Sequence, residues 1–302
     1  MGAADETLVR ERAEALPVSR YRELEHRRRQ LTEIGEIMRA MKNLAMIETR
    51  KLSAFLEAQS EAVRCIETAA SDFLSFFPLP TPVSSATRHI VLLIGSERGF
   101  CGDFNDALAK ALSDRLARQP EAHFLVIGNK LNGRLSATLP ENQLTAFDGA
   151  SVAEDVPAIL NRLAESIDRL HRSGDDLELT VWFNRHESPD VQELTLLPPF
   201  KDLPPLAPPY SHAPLLNLPA NDYFLELTEH YLLAILHEIF HVSLMAENQR
   251  RVQHLEAAIR RLDDKTESLA KQANASRQEE ITEEIEVILL GSQDSTSRAP
   301  PP

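Results

Sequence analysis

The sequence predicts an α/β fold in which two long helices at the two ends of the chain form an antiparallel coiled coil around an inserted, compact α/β domain. Three observations carry this. Both ends hold proline-free stretches with apolar residues on a seven-residue frame, the middle alternates short apolar runs with helical patterns, and proline clusters mark both changes.

Residues 1–20 read as an N-terminal extension and 21–77 as the first helix. Tyr21 to Phe77 has no proline and a single glycine, Gly35. Leu31, Ile34, Met38, Met41, Ala45, Leu52, Phe55, Ala62, Ile66, Ala69 and Phe73 recur at alternating heptad steps, interrupted at Glu48 and Gln59. Fifty-odd residues at about 1.5 Å each span roughly 80 Å, too long for one ordinary domain to cover. The prolines of PLPTPVSSAT then end the helix, because each removes a donor and clashes with the preceding turn.

Residues 86–200 read as the α/β domain. RHIVLLIG and HFLVIG are apolar runs of the kind buried on both faces of a sheet, and LELTVWFNR and VQELTLLPP read as two further strands. FNDALAKALSDRLARQ and VPAILNRLAESIDRLHRS are the helices between them. Eight prolines between Leu197 and Pro219 make residues 201–220 an extended connector. The second long helix is expected over 221–291, with Met245, Val252, Leu255, Ile259, Leu262, Leu269 and Ala273 on its seam and 292–302 as a disordered tail. The two seams pack most simply on each other; pairing of each helix with a second copy of the chain is the alternative.

Composition narrows the function. Thirty-two basic against 46 acidic residues give a net charge of −14, which disfavours binding to a phosphate backbone and so nucleic acid as a partner. Two cysteines, Cys65 and Cys101, make neither a disulfide framework nor a four-cysteine zinc site. The first twenty residues lack the apolar core of a signal peptide, their acidic residues argue against a transit peptide, and no uncharged apolar run of about 18 residues spans a bilayer. A soluble or peripherally attached protein is expected.

His237, Glu238 and His241 form His-Glu-x-x-His on a helix, the pattern in which two histidines one turn apart bind zinc beside a general base. A metalloprotease would also need a third ligand and a cleft, and a heptad helix offers no concave wall; surface or seam histidines are the expected reading. The loop GSERGFCGDFN follows a strand and precedes a helix, but has neither glycine spacing nor a Gly-Lys-Ser/Thr ending to hold phosphates. Cys101 has no base nearby in sequence and reads as a small buried thiol.

Four segments together resemble the γ subunit of F-type ATP synthases over nearly the whole chain. IMRAMKNLAMIETRKL, centred on Ala40-Met41-Lys42, is similar to the family's amino-terminal helix. SERGFCGDFN is similar to its Ser-x-Arg-Gly-Leu-Cys-Gly-Gly-Leu-Asn string. AENQRR resembles its Ser-Glu-x-x-x-Arg step through Glu247 and Arg251, and NASRQEEITEEIEVILLGS resembles its carboxyl-terminal signature through Asn274, Arg277, Gln278, Ile281, Thr282, Glu284 and Gly291. The departures are Asp103 for a glycine, Glu48 where a lysine is usual, Val287 at an acidic position and Ser292 for an alanine. They suggest a divergent bacterial branch whose rotor couples to Na⁺ or H⁺, and the missing cysteine-pair insertion argues against the thiol-regulated plant form.

The resemblance implies a coiled-coil shaft with a Rossmann-like α/β domain, turning inside a ring of α and β subunits and joined to an ε subunit and a membrane c-ring at the cytoplasmic face of the bacterial plasma membrane. It implies no catalytic site and no cofactor. It assigns Arg277 and Gln278 to contacts with β, and Lys42, Glu247 and Arg251 to supporting rotor contacts. A coiled-coil adaptor with an α/β head is the rival without rotary function.

Overall fold

The structure, a computed structural model, describes residues 20–78, 87–116, 121–171, 176–188, 190–201, 203 and 211–296. The expected extension before residue 20, much of the breaks at 79–86 and 204–210, and the tail after 296 lie outside them. The described elements, besides two short 3₁₀ turns, are α1 (Arg20–Phe76), β1 (Thr87–Ile94), α2 (Phe104–Leu116), β2 (His123–Ile127), α3 (Asn129–Leu135), β3 (Leu144–Phe147), α4 (Val156–His171), β4 (Asp176–Phe183), β5 (Gln192–Leu197) and α5 (Ala220–Thr296). No helix among the described residues is long and apolar enough to cross a membrane.

Two compact units divide the chain, residues 42–254 and the two flanking stretches together. In the larger unit five strands form one sheet in the order β3-β2-β1-β4-β5, parallel except for β5, which runs antiparallel to β4. Each parallel step is a crossover through a helix, as parallel pairing requires. Alternation along β1 explains why its sequence is apolar throughout. Val91 and Leu93 meet Leu108 and Leu112 of α2 and Leu131 of α3, while Ile90, Leu92 and Ile94 meet α4 through Val156, Ile159 and Leu163. The second face also takes Leu52, Val63 and Ala70 of α1 and Ile235, Ile239, Phe240 and Leu244 of α5. The helices and the sheet therefore share one core, which is why the compact unit is not confined to residues 86–200.

Within this unit α1 and α5 run antiparallel: Gln59 Nε2 donates to the Ala234 carbonyl at 2.9 Å, Phe55 stacks on His241 at 6.2 Å, and Phe73 meets the Tyr223 ring at 5.0 Å. In the smaller unit the same sense holds, with Met38 packed on Leu255 and Ile259, Arg39 paired with Asp263, and the Arg277 guanidinium 5.7 Å from the Tyr21 ring.

The seam of α1 departs from the expected one at three positions. The column through Leu31, Met38, Ala45, Leu52, Ile66 and Phe73 does face inward, and Met41 and Ala69 are half-buried with it, but at Ile34, Phe55 and Ala62 the inward place is taken one residue later, by Gly35, Leu56 and Val63. Ile34 and Phe55 are 46% and 50% exposed, and Ala62 is exposed too. Apolar character drew the frame through Ile34 and Phe55, whereas close helix approach is served by small side chains such as Gly35 and Ala70. At its far end α5 continues to Thr296 rather than stopping at 291, since one glycine, Gly291, weakens a helix without breaking it and no proline follows before residue 300.

Candidate functional site

The loop after β1 is held by its own side chains. Ser96 is fully buried; its N–H donates to Asn105 Oδ1 at 3.0 Å, and its hydroxyl oxygen accepts from Asn105 Nδ2 at 2.8 Å and from the Cys101 thiol at 3.3 Å. Phe100 and Gly102 turn the chain with φ of 62° and 61°, a region that costs glycine nothing and a phenylalanine something. Asn184, just beyond β4, donates from Nδ2 to the Phe104 carbonyl at 2.9 Å and ties the start of α2 to the next strand. Burial pushes the Cys101 thiol above its ordinary value, with the Ser96 hydroxyl opposing, so the sulfur is a protonated packing group rather than a nucleophile.

One turn of α5 closes on this loop. Glu247 and Arg251 are 4% and 5% exposed and form an ion pair one helical turn apart. Arg251 also donates to the Gly99 carbonyl at 3.1 Å, the Arg98 carbonyl at 3.4 Å and Asn248 Oδ1 at 2.8 Å, while Glu247 accepts from the Arg98 N–H. Arg250 reaches Asp103 from the same turn. Glu247 and Arg251 are thus an internal clamp, spent on the loop, and not helix-surface charges. Burial pushes the Glu247 carboxyl up to about 7, against the lowering effect of the guanidinium and the Arg98 N–H.

A carboxyl raised on folding contributes most stability below its unfolded value and loses that contribution as pH rises through its folded value. Urea unfolding of Glu247→Gln and of the natural chain should therefore diverge by roughly 3 kcal/mol between pH 4.5 and 7, the natural chain losing stability relative to the variant, and run parallel above that. A constant difference across this window would refute the assignment.

Two residues missed from sequence complete the ties. Glu97, directly after the buried strand, accepts from the Asn129 N–H at 3.0 Å and the Gly149 N–H at 2.6 Å, joining the carboxyl ends of β1, β2 and β3. Glu48, read as a break in a seam, is 9% exposed and accepts from the Ala153 N–H at 2.7 Å. Its signals in sequence are the interruption itself and the departure from the resemblance at that position.

Of the remaining candidates, Lys42 is half-buried on α1. Arg277 and Gln278 are exposed on α5 in the smaller unit, Arg277 over the Tyr21 ring. In the His-Glu-x-x-His segment, His237 shares a hydrogen bond through Nδ1 with the Leu233 carbonyl at 2.9 Å and Glu238 accepts from the Ser60 hydroxyl at 2.6 Å. Burial, with His237 nearby, lowers the His241 pKa, and its ring stacks on Phe55. Among the described residues no group of three His, Cys, Asp or Glu is placed to hold a metal.

A family model described as ATP synthase matches residues 20–293. The chain is 22% identical to an ATP synthase gamma chain of Caulobacter sp. (strain K31), a match covering 90% of this chain and 98% of that one. It is 26% identical to a mitochondrial ATP synthase subunit gamma of Pichia angusta, over 60% of this chain and 65% of that relative, so it spans just under two thirds of the yeast protein. A chain from the cryo-EM structure of Euglena gracilis mitochondrial ATP synthase, OSCP/F1/c-ring, rotational state 3, superposes with a TM-score of 0.64 at 13% identity, covering 93% of this chain and 97% of that one; it carries the fold. Antiparallel helices sharing a core with a five-stranded sheet, a loop held by Ser96, Cys101 and Asn105, and matches along nearly the whole length converge: this chain belongs to the ATP synthase family, as a γ-type chain.

Proposed function

We infer that the chain is the central rotor shaft of a rotary ATP synthase, a non-catalytic subunit that turns within a ring of catalytic subunits. The observation that carries this is the end of α5. After Glu280, whose side chain lies 3.5 Å from the Tyr21 N–H, Ile281, Ile285, Val287, Ile288 and Leu289 are 46–70% exposed. Ile281, Ile285, Ile288 and Leu289 fall at i, i+4, i+7 and i+8 on one apolar stripe with Val287 off it, an exposed and asymmetric face that calls for an apolar partner surface. A ring that grips such an end and meets different side chains at each angle would be driven through different conformations by differential contact energy.

The ring would be α and β subunits, with an ε subunit and a c-ring at the other end of the coupling path and the assembly on the cytoplasmic face of a bacterial plasma membrane. Residues 86–200 would carry the contacts toward the rotor and 221–291 those within the ring. The departures at Glu48, Asp103 and Val287 support a divergent branch that moves Na⁺ or H⁺; sodium dependence of the ATPase activity of the whole complex tells the two ions apart. Co-expression with α and β subunits of the same host tests the main reading. A hexamer holding one copy of this chain, with ATPase activity that depends on it, supports the shaft; a free species indifferent to α and β returns the adaptor.

Arg277 and Gln278 are proposed to meet the catalytic β subunits. Arg277→Ala should change stability by less than about 1 kcal/mol, since it removes only an exposed cation–π contact with Tyr21. In the assembled complex, ATP-driven ion pumping should fall about fivefold or more, the scale of a typical coupling energy. Unchanged pumping would remove the residue from the interface.

A further inference from the structure

At the 3₁₀ turn Ala153–Asp155 that leads into α4, three successive backbone N–H groups need acceptors, because a helical turn cannot satisfy its first donors internally. Asp155 Oδ2 takes those of Ser151 at 2.9 Å and Val152 at 3.2 Å. The third, that of Ala153, is taken from 105 residues away by Glu48 of α1 at 2.7 Å, in a buried contact. One turn along α1, Lys51 pairs with Glu154, the next residue of the same turn. The Glu154 side chain, by its hydrogen bond, raises the Lys51 pKa, and Lys51 likewise lowers that of Glu154.

The two contacts have opposite polarity. Glu48 places negative charge at a helix start, where the exposed N–H groups favour it, and Lys51 neutralises the acid beside it. Leu52, fully buried, and Val156, fully buried, belong to one core cluster and fill the space at this junction. A lysine at position 48 would offer no acceptor to the Ala153 N–H and would stand near Lys51.

We propose that Glu48 and Lys51 are positioning residues that latch the Ser151–Asp155 turn of the α/β sheet onto α1, so that torque applied to the sheet reaches the helix without slip. The latch rests on the rotary reading above. It acts through packing geometry and touches no nucleotide.

The test uses the whole complex reconstituted in vesicles, reading ATP hydrolysis and ATP-driven uptake of protons or sodium side by side. Glu48→Gln keeps an oxygen acceptor and should retain the natural ratio of uptake to hydrolysis. Glu48→Lys should hydrolyse ATP yet show about a tenfold lower ratio, the factor that losing one charge-assisted hydrogen bond represents. Lys51→Glu should lower the ratio as well, and Lys51→Glu with Glu154→Lys should restore it. If Glu48→Lys does not assemble, the Lys51 variants decide, because their side chains lie nearer the surface. An unchanged ratio in Lys51→Glu, or loss of hydrolysis and uptake in equal proportion, would overturn the latch and leave a structural contact only. Failure of the natural chain to join α and β subunits would remove the rotary reading and the latch with it, and is seen before any variant is made.

Discussion

Replacing Arg251 with alanine is expected to cost about 3–5 kcal/mol of unfolding free energy at pH 8, the range for removing one partner of a buried ion pair. The cost comes from what is left behind. Glu247 stays buried with no cation, and the Arg98 and Gly99 carbonyls lose the guanidinium that bound them. Water entering the gap would relieve part of this. The pH dependence separates the lost pair from lost packing: at pH 5 Glu247, whose carboxyl is pushed up to about 7 by burial, carries a proton and leaves no bare charge. The penalty should therefore shrink as pH falls from 8 to 5. Arg251→Lys should recover only part of the loss, because an ammonium cannot reach Glu247, Asn248, Arg98 and Gly99 together with the fork of a guanidinium. Chemical denaturation at the two pH values measures all three. A pH-independent cost below about 1 kcal/mol would mean that the pair is solvated in solution.

The long elements were legible because their signals are redundant. β1 and β2 are apolar runs too dense for a surface, β4 ends on the apolar Val181–Phe183, and α1 and α5 repeat a heptad many times. β3 escaped because Leu144–Phe147 is four residues long and holds Thr145 and Ala146, too short for any period to emerge. α3, NKLNGRL, escaped because two asparagines and a glycine read as loop; Leu131 and Leu135, both buried, hold it in place through packing that propensity does not encode.

The site shows the same division. Ser96, Cys101 and Asn105 were visible as a string, and the structure supplies the reason for their spacing: each hydrogen-bonds another across the loop. Glu247 and Arg251 were visible as a step, but their direction was not. A charged pair one turn apart on a helix is ordinarily a solvated one, and only the arrival of the Arg98–Gly99 backbone turns it inward. Glu48 was visible as an error in a repeat and as a departure from the family resemblance, with no sign of its partner. A buried carboxylate on a seam is a cost unless an unpaired donor lies opposite, and the Ala153 N–H is brought there by the fold rather than by any local sequence signal.

Leu52→Ala should destabilise the chain by about 2–5 kcal/mol, while Phe55→Ala, one turn away on the same helix, should cost under about 1 kcal/mol. Both residues belong to the apolar repeat that the sequence displays, and hydrophobicity alone would rank phenylalanine the more costly loss. Burial reverses the order. Leu52 is fully buried in the core shared by α1, α5 and the sheet, whereas Phe55 is 50% exposed and its ring stacks on His241. Truncating Leu52 leaves a cavity bounded by elements that are themselves pinned, Val156 by the α4 start and α1 by Glu48, so collapse recovers little of the loss. Because helices and sheet share this core, the substitution should lower one cooperative transition of residues 42–254 instead of freeing the sheet from the helices. Thermal unfolding followed by circular dichroism and by Trp182 fluorescence in parallel distinguishes the two. Coincident midpoints, both lowered in Leu52→Ala and both near the natural value in Phe55→Ala, are expected; a Trp182 transition that ignores Leu52 would show that the α/β sheet is stable without α1, and with it would go the idea that torque reaches the helix through a common core.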